Sequence, residues 1–258
     1  MTKVSYVHFK FLPMSMRVLF TSVLLVFGAA YCMAMVQVWI TKVGLDGKNY
    51  LTAKDLVIAY SGNPEGSKMQ TALQGPMADM LDADNKKIVY TWLHEGAPKE
   101  KYDSTINPIL QDHCVACHNA AANPNLPDYT SWEGVQKVTT VDTGMSIATL
   151  IRVSHIHLFG LTFIFFITGF IYAHSYVRPA WFKCVVLATP FLGLILDIAA
   201  WYLTKVWHGF AWAVIVGGAL YGICFTIMWF TSMYQLWFFK PPQEVLDSQG
   251  QLPSLHRA

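Results

Sequence analysis

Four stretches of the chain are apolar over more than twenty positions: Val18 to Ile40, Ile147 to Ala173, Phe182 to Leu203 and Phe210 to Phe239. At about 1.5 Å per residue each is long enough to cross a hydrocarbon core of about 30 Å, so the pattern predicts four transmembrane helices. Pro190 falls within the third and is a natural place for a kink. Between the first and second stretches, residues 41–146 are polar and hold most of the Asp and Lys and half of the Pro. They are expected to form one domain outside the bilayer, inserted between helices 1 and 2. Residues 1–17 and 240–258 are then tails, 18–40 an anchor and 147–239 a three-helix unit.

The first stretch is too long for the core of a cleaved signal peptide, and Ala29-Ala30-Tyr31-Cys32 makes a poor cleavage or lipidation site. An uncleaved anchor is expected, with Trp39 at its far interface. Inside the insert, Asp82 to Leu93 alternates as an amphipathic helix, with Asp at its start and Gly96 past its end. Ile106 to Leu110 and Trp132 to Val135 are expected to form shorter helices, and Asn125 to Tyr129 a loop.

Composition changes this picture little. With 54% hydrophobic and 13% charged residues, the chain is too apolar for an ordinary soluble domain. A net charge of +2 and the absence of a basic block give no reason to expect nucleic acid as a partner. The distribution of cations matters more. Lys3, Lys10 and Arg17 lie in the first tail, Arg178 and Lys183 follow helix 2, and Lys240 and Arg257 lie in the second tail. The turn between helices 3 and 4 has only Lys205. The positive-inside rule therefore puts both tails in the cytoplasm and the insert in the periplasm.

The most specific chemistry in the chain is Cys114-Val115-Ala116-Cys117-His118. Two cysteines separated by two residues and followed at once by histidine are the attachment signature of a c-type haem. The thiols add across the vinyl groups, and the adjacent imidazole is the proximal iron ligand. Half of a zinc site would need a second ligand pair at metal spacing, and none follows; a redox dithiol needs no His118 and usually sits in a βαβ pattern. Cys32, Cys184 and Cys224 lie in apolar runs and are expected to be small buried residues.

With Ile106-Asn107-Pro108-Ile109-Leu110 leading into the motif, this region resembles the cytochrome c superfamily. The resemblance implies electron transfer, and haem attachment in bacteria takes place on the periplasmic side, in agreement with the charge pattern. In small cytochromes c a Gly/Pro-rich loop presenting the distal methionine, and then a terminal helix, follow the attachment motif. Here Leu73-Gln74-Gly75-Pro76-Met77 and the helix from Asp82 precede it. The resemblance thus implies an all-α protein whose periplasmic insert is a permuted cytochrome c-like domain, with Met77 opposite His118. Met80, Met145 or a histidine such as His94, His113 or His155 are alternatives, and methionine would raise the potential relative to bis-histidine ligation. A separate helical subdomain over residues 52–98, with Met77 merely packing, also stays open. The layout as a whole is similar to proteobacterial membrane-anchored cytochromes c.

Ionisable residues within membrane segments are costly and are functional candidates by default. Helix 2 begins with Arg152, His155 and His157, helix 3 carries Asp197 about 10 Å before its end at Thr204, and helix 4 is entered through His208. Three roles fit. A histidine and Asp197 could take the protons of a quinol whose electrons pass to the haem. His208 could pair with His155 or His157 around a haem b or another metal. The histidines could also be hydrated at the interface, with Asp197 paired to Arg152. His155 and His157 point to nearly opposite faces, so only one can join any shared site. A two-haem path across the bilayer would need a second histidine pair near the cytoplasm, where only His174 and His8 lie.

The expected function is a multi-pass cytochrome of the bacterial inner membrane with one covalent haem c. It would pass electrons between a membrane donor, the quinone pool or a redox complex, and a periplasmic electron carrier. The alternatives are an accessory haem-bearing subunit of a larger membrane enzyme, or a haem c/haem b relay.

Overall fold

The computed structural model describes residues 7–124 and 126–250. Its elements are helical, and four of the helices are long and apolar enough to cross a membrane: α1 (Met14–Lys42), α8 (Ile147–Ala173), α9 (Ala180–Leu203) and α10 (Ala211–Trp237), the last entered through a 3₁₀ turn at His208–Phe210. α1 runs beyond both ends of its apolar stretch, because backbone hydrogen bonding continues a helix into the polar interface once it is nucleated. Pro190 lies inside α9, which continues through it. An even number of crossings returns both tails to one face of the bilayer. The insert and the turn after α9 belong to the other.

The chain divides into two compact units. One comprises residues up to Ala34, Arg152–Ala199 and everything from Ala213. In it α1 is held to α10 by aromatic contacts: Trp229 Nε1–H donates to the Leu24 carbonyl at 2.6 Å, and Tyr31 stacks on Phe225 at 4.7 Å between centroids. Gly28 and Gly222 make room for these rings, since a side chain at either would meet Trp229 or the Tyr31 hydroxyl. At the tail end the polar groups pair with one another. Buried His8 faces Gln235 (3.2 Å), Gln235 Nε2–H donates to the Tyr176 carbonyl (2.8 Å), and His174 Nδ1–H donates to the Val7 carbonyl (2.7 Å). Both ring nitrogens of His8 are engaged, the other accepting from Lys10 N, and burial holds its pKa below the ordinary value.

The second unit comprises Met35–Ile151 with Ala200–Trp212. Its short helices are α2 (Ala53–Ser61), α3 (Lys68–Gln74), α4 (Ala83–His94), α5 (Lys99–Lys101), α6 (Asn107–His113) and α7 (Trp132–Thr139), with a π turn at Tyr102–Ile106 leading into α6. Side-chain caps fix where they start. Thr52 and Asp55 make a reciprocal capping box on α2, Asp82 caps α4 through the amides of Asp84 and Asn85, and Ser67 and Ser131 cap α3 and α7. The chain leaves α4 through Gly96, at φ +86°. One apolar core joins α3, α4, α6 and α7: Met69, Leu73, Val89, Trp92, Ile106, Leu110, Val135 and Val138 are buried in it.

A polar clasp closes this unit at its membrane end. Lys205 donates three hydrogen bonds to backbone carbonyls, those of Tyr60 (2.6 Å), Met145 (2.9 Å) and Thr143 (3.0 Å), and Ser61 Oγ donates to the Thr204 carbonyl (2.8 Å). The Tyr60 ring lies parallel to Trp201, with centroids 5.7 Å apart. Gly62 (φ +87°) and Gly144 (φ +66°) let the two segments cross so closely that neither position has room for a Cβ. Thus the one cation in the turn between α9 and α10 is bound by the start and the end of the insert.

Replacing Lys205 with Leu leaves three carbonyls without their donor, at a cost of about 2 kcal/mol. Limited proteolysis of the purified chain should then cut between Asp142 and Ser146 at least ~10-fold faster than in the parent, because local opening scales with that free energy. An unchanged cleavage rate would show that the clasp contributes little.

Candidate haem-attachment site

The pentapeptide is placed by α6. Leu110, 2% exposed, anchors that helix in the core, and its carbonyl accepts from both Cys114 N (2.8 Å) and Val115 N (2.9 Å). The Cys114 carbonyl then accepts from Cys117 N (3.2 Å) and His118 N (2.9 Å), so residues 114–118 form one tight turn. Cys114 is half-buried against the core, and burial pushes its thiol pKa up; Cys117 is exposed; both are free thiols.

The following loop folds back over His118. Tyr129 N–H donates to the His118 carbonyl (2.9 Å), and the Tyr129 ring stacks parallel on the imidazole, 4.3 Å between centroids and 5° between planes. His118 Nδ1 lies 3.0 Å from the Pro127 carbonyl oxygen. A carbonyl can only accept, so this contact puts the proton on Nδ1 and leaves Nε2 with the lone pair. That tautomer, fixed from outside, is the one a metal-binding imidazole needs. Burial pushes the Tyr129 phenol up to about 12. Asp128 Oδ1 accepts from Thr130 N (2.9 Å) and Thr130 Oγ1 (2.7 Å), which shapes the turn and holds its carboxyl below the usual range. Gly134 in α7 presses against the Asp128 carbonyl, where any Cβ would clash. The loop is therefore backed by a helix on one side and holds the imidazole on the other.

Met77 follows Gly75 and Pro76 at the end of α3, its amide donating to the Ala72 carbonyl (2.8 Å). Its side chain packs on the same apolar core as Cys114, Val115 and Trp132. The alternatives stand elsewhere: Met80 is 52% exposed, His94 and His113 are exposed, and Met145 is held through its backbone, its N–H donating to the Ala59 carbonyl (3.1 Å) and its carbonyl accepting from Lys205 (2.9 Å). One turn thus carries two cysteines outside any disulfide and an imidazole whose Nδ1 is engaged by a carbonyl, the donor set a covalent haem would use, while Met77 packs on the core that also holds Cys114.

Asp197 is 3% exposed and accepts from the Tyr221 hydroxyl at 3.2 Å, where α9 and α10 come close at Gly193 and Gly217. Arg152, His155 and His157 occupy exposed positions on α8, with His155 edge-on to Phe159 and His157 Nδ1–H donating to the Val153 carbonyl (2.9 Å). His208 is exposed in the 3₁₀ turn and belongs to the other compact unit.

Sequence reasoning singled out the cysteines and His118 and expected the loop at residues 125–129 and the helix at residues 132–135 to cover the haem edge, but it missed the contacts themselves: the Pro127 carbonyl on Nδ1, the Tyr129 stack, the close approach at Gly134, and Tyr221. Three of these act within one loop-and-helix contact, and the signal available was Pro-Asp-Tyr nine residues beyond the motif with a glycine inside a short helix. Tyr221 lies among many apolar-segment aromatics and carries no pattern of its own.

Comparison with known proteins bears on the membrane helices. Residues 131–244 match the Aq_1264_TM family model, a transmembrane helical domain, over a stretch that begins after His118 and spans α7 to α10. No curated protein and no solved structure matches the chain. The chain is thus a membrane protein with several transmembrane helices, the last three of which are similar to that domain.

Proposed function

We propose that the chain is a membrane-anchored c-type cytochrome that carries one covalent haem on Cys114 and Cys117 and passes single electrons between a membrane donor and a soluble carrier. The observation that carries this is the hydrogen bond between His118 Nδ1 and the Pro127 carbonyl, directly beside two free thiols at attachment spacing. A haem bound there would supply a one-electron iron couple. The chain's own residues do the rest. His118 Nε2 and the Met77 sulfur would hold its iron, and the core around Trp92, Tyr102 and Trp132 would keep water from it. Thioether ligation and burial both favour a raised potential.

By the distribution of lysine and arginine, the insert belongs in the periplasm and the chain in a bacterial inner membrane. The donor is a quinol or a redox complex in the same bilayer. For quinol, Asp197 with the Tyr221 hydroxyl is the buried ionisable group able to take a proton. Arg152, His155 and His157 stand at the exposed edge of α8 and would serve at most in guiding protons outward. An ion at His208 or a second haem lacks a comparable arrangement of partners in support.

Full-length chain produced with haem-maturation machinery should contain one haem c per polypeptide by pyridine haemochrome. Met77→Ala should lower the midpoint potential by at least ~100 mV and abolish the sulfur-to-iron absorption band, while Met80→Ala and Met145→Ala leave both unchanged. A potential indifferent to Met77 would exclude it as ligand, and absence of haem would overturn the function.

Asp197→Asn should cut the rate of haem reduction by a quinol analogue by about 10²-fold, the range for loss of a proton-transfer group, without changing reduction by dithionite. Equal rates in parent and variant would show that Asp197 has a structural role.

A further inference from the structure

The hydroxyls of the spanning helices fall into two groups. Thr21, Ser22 and Thr41 in α1 and Thr226 in α10 each donate to the carbonyl four residues back, the usual resting place of a hydroxyl in an apolar helix. Thr168 and Tyr172 in α8, Ser175 just past its end and Ser232 in α10 do not. Each of these is 0% exposed, and its side-chain oxygen has no hydrogen-bond partner among the described residues. Burying a hydroxyl without a partner is costly, so four of them call for a partner that the neighbouring side chains do not supply.

The four line one seam. On α8, Thr168, Tyr172 and Ser175 are spaced by four and three residues and share a face; on α10 the same holds for Tyr221, Cys224, Met228, Ser232 and Gln235. Contacts fix the register of the two helices. Phe165 lies against Tyr221 with 5.7 Å between centroids, Gly169 borders the Met228 sulfur, Tyr172 packs in one cluster with Cys224, Met228 and Val186 of α9, and Gln235 Oε1 accepts from Tyr176 N at 2.7 Å. Ser232 is therefore level with Ser175, and Thr168 lies at the height of Cys224 to Met228. Polar groups continue the seam at both ends. Toward the tails stand Gln235 and buried His8, 3.2 Å apart. Toward the insert, Cys224 meets the Thr189 side chain, and one turn further the Tyr221 hydroxyl donates to Asp197.

A partner for these hydroxyls must both donate and accept, carry no charge among walls such as Val186 and Met228, and fit between packed helices; water does all three. Lys183, which donates to the Ala173 and Ser175 carbonyls, puts a positive charge at the tail end and disfavours a resident metal cation. We infer that Thr168, Tyr172, Ser175 and Ser232 hold a short file of water through which protons pass between the tail face and the Tyr221–Asp197 pair. Each hop moves one proton along a hydrogen bond, one O–H bond breaking for each that forms, so nothing is oxidised or reduced and the carboxylate gains the proton that the tail face loses. For its purpose the file rests on the reading of Asp197 as the acceptor of a quinol proton; the seam itself does not.

The test uses the full-length chain in nanodiscs, and neither readout needs haem, whose content is measured in the same preparation. Under a short radiolytic pulse of hydroxyl radicals, Met228, 0% exposed, should be oxidised at least ~10-fold faster than Met33, which faces outward from α1, because radicals formed from bound water react where they arise. Infrared spectra of the parent and of Asp197→Asn, at a pH low enough to protonate the carboxyl, identify the Asp197 band, and its shift in D2O gives the rate of proton exchange. The triple variant Thr168→Val, Tyr172→Phe, Ser232→Ala nearly keeps the shape of each side chain. It should bring Met228 down to the rate of Met33 and slow exchange at Asp197 by at least ~10²-fold. A parent in which Met228 is as inert as Met33, a result that needs no substitution, would overturn the file. So would equally fast exchange at Asp197 in parent and variant, which would put its proton route on the insert side. A wet seam in a chain without haem would remove the electron-transfer function and leave the route standing; a dry seam in a chain with its haem would do the reverse.

Discussion

A chain that leaves the bilayer at the end of α1 and re-enters it at the start of α8 must fold about a hundred residues between two ends held in the same plane. For a free chain, closing such a loop costs roughly 4 kcal/mol of entropy; here insertion of the helices has already closed it. The spans themselves have no choice of structure, because hydrocarbon offers no partner for a bare amide or carbonyl. What remains is to bind the early and late parts of the insert, and Lys205 shares this with direct backbone hydrogen bonds, Met145 N–H to the Ala59 carbonyl and Asp142 N–H to the Gly66 carbonyl. The Lys205 ammonium takes carbonyls from the end of α2 and from the segment before α8.

The same economy of elements shapes the attachment turn. Cys114 and His118 are positioned by hydrogen bonds to Leu110 and within the turn itself, so they are as rigid as the core that buries Leu110. The loop behind them adds the tautomer. One backbone carbonyl, from Pro127, decides which nitrogen of His118 is free, and Gly134 decides how near that loop can come. The geometry of this turn is then set less by unusual side chains than by where the backbone of a short loop is allowed to lie.

How much of this was legible beforehand depends on the range of the physics. Spanning helices depend on a local property, long apolar runs, and all four were placed within a few residues. α4 likewise announces itself through its Asp82 cap and closing Gly96; α6 was expected from the resemblance, as the helix leading into the motif, and α7 as a short helix after the loop. The Cys-x-x-Cys-His motif is local too. Lys205 read as a topology marker in a loop, because its three acceptors are carbonyls far away in sequence that carry no residue-specific signal. Asp197 stood out as an ionisable residue in an apolar helix, but its partner Tyr221 lies 24 positions on and became visible only in the packed bundle. His155 and His157 were grouped with Asp197 by depth, with at most one of them able to join a shared site because they point to nearly opposite faces; both occupy exposed positions on α8. Met77 is intermediate: its Gly-Pro loop is legible, while its packing on the same core as Cys114 is a tertiary fact.

The central claim is covalent, so the most direct measurement is the mass of the peptide spanning α6 to Pro127 after proteolysis of the full-length chain from haem-competent cells. The account predicts a single species heavier by one haem, with neither Cys114 nor Cys117 available to alkylation, and Cys32, Cys184 and Cys224 carrying nothing. An unmodified peptide, with both thiols alkylated or joined to each other as a disulfide, would contradict it.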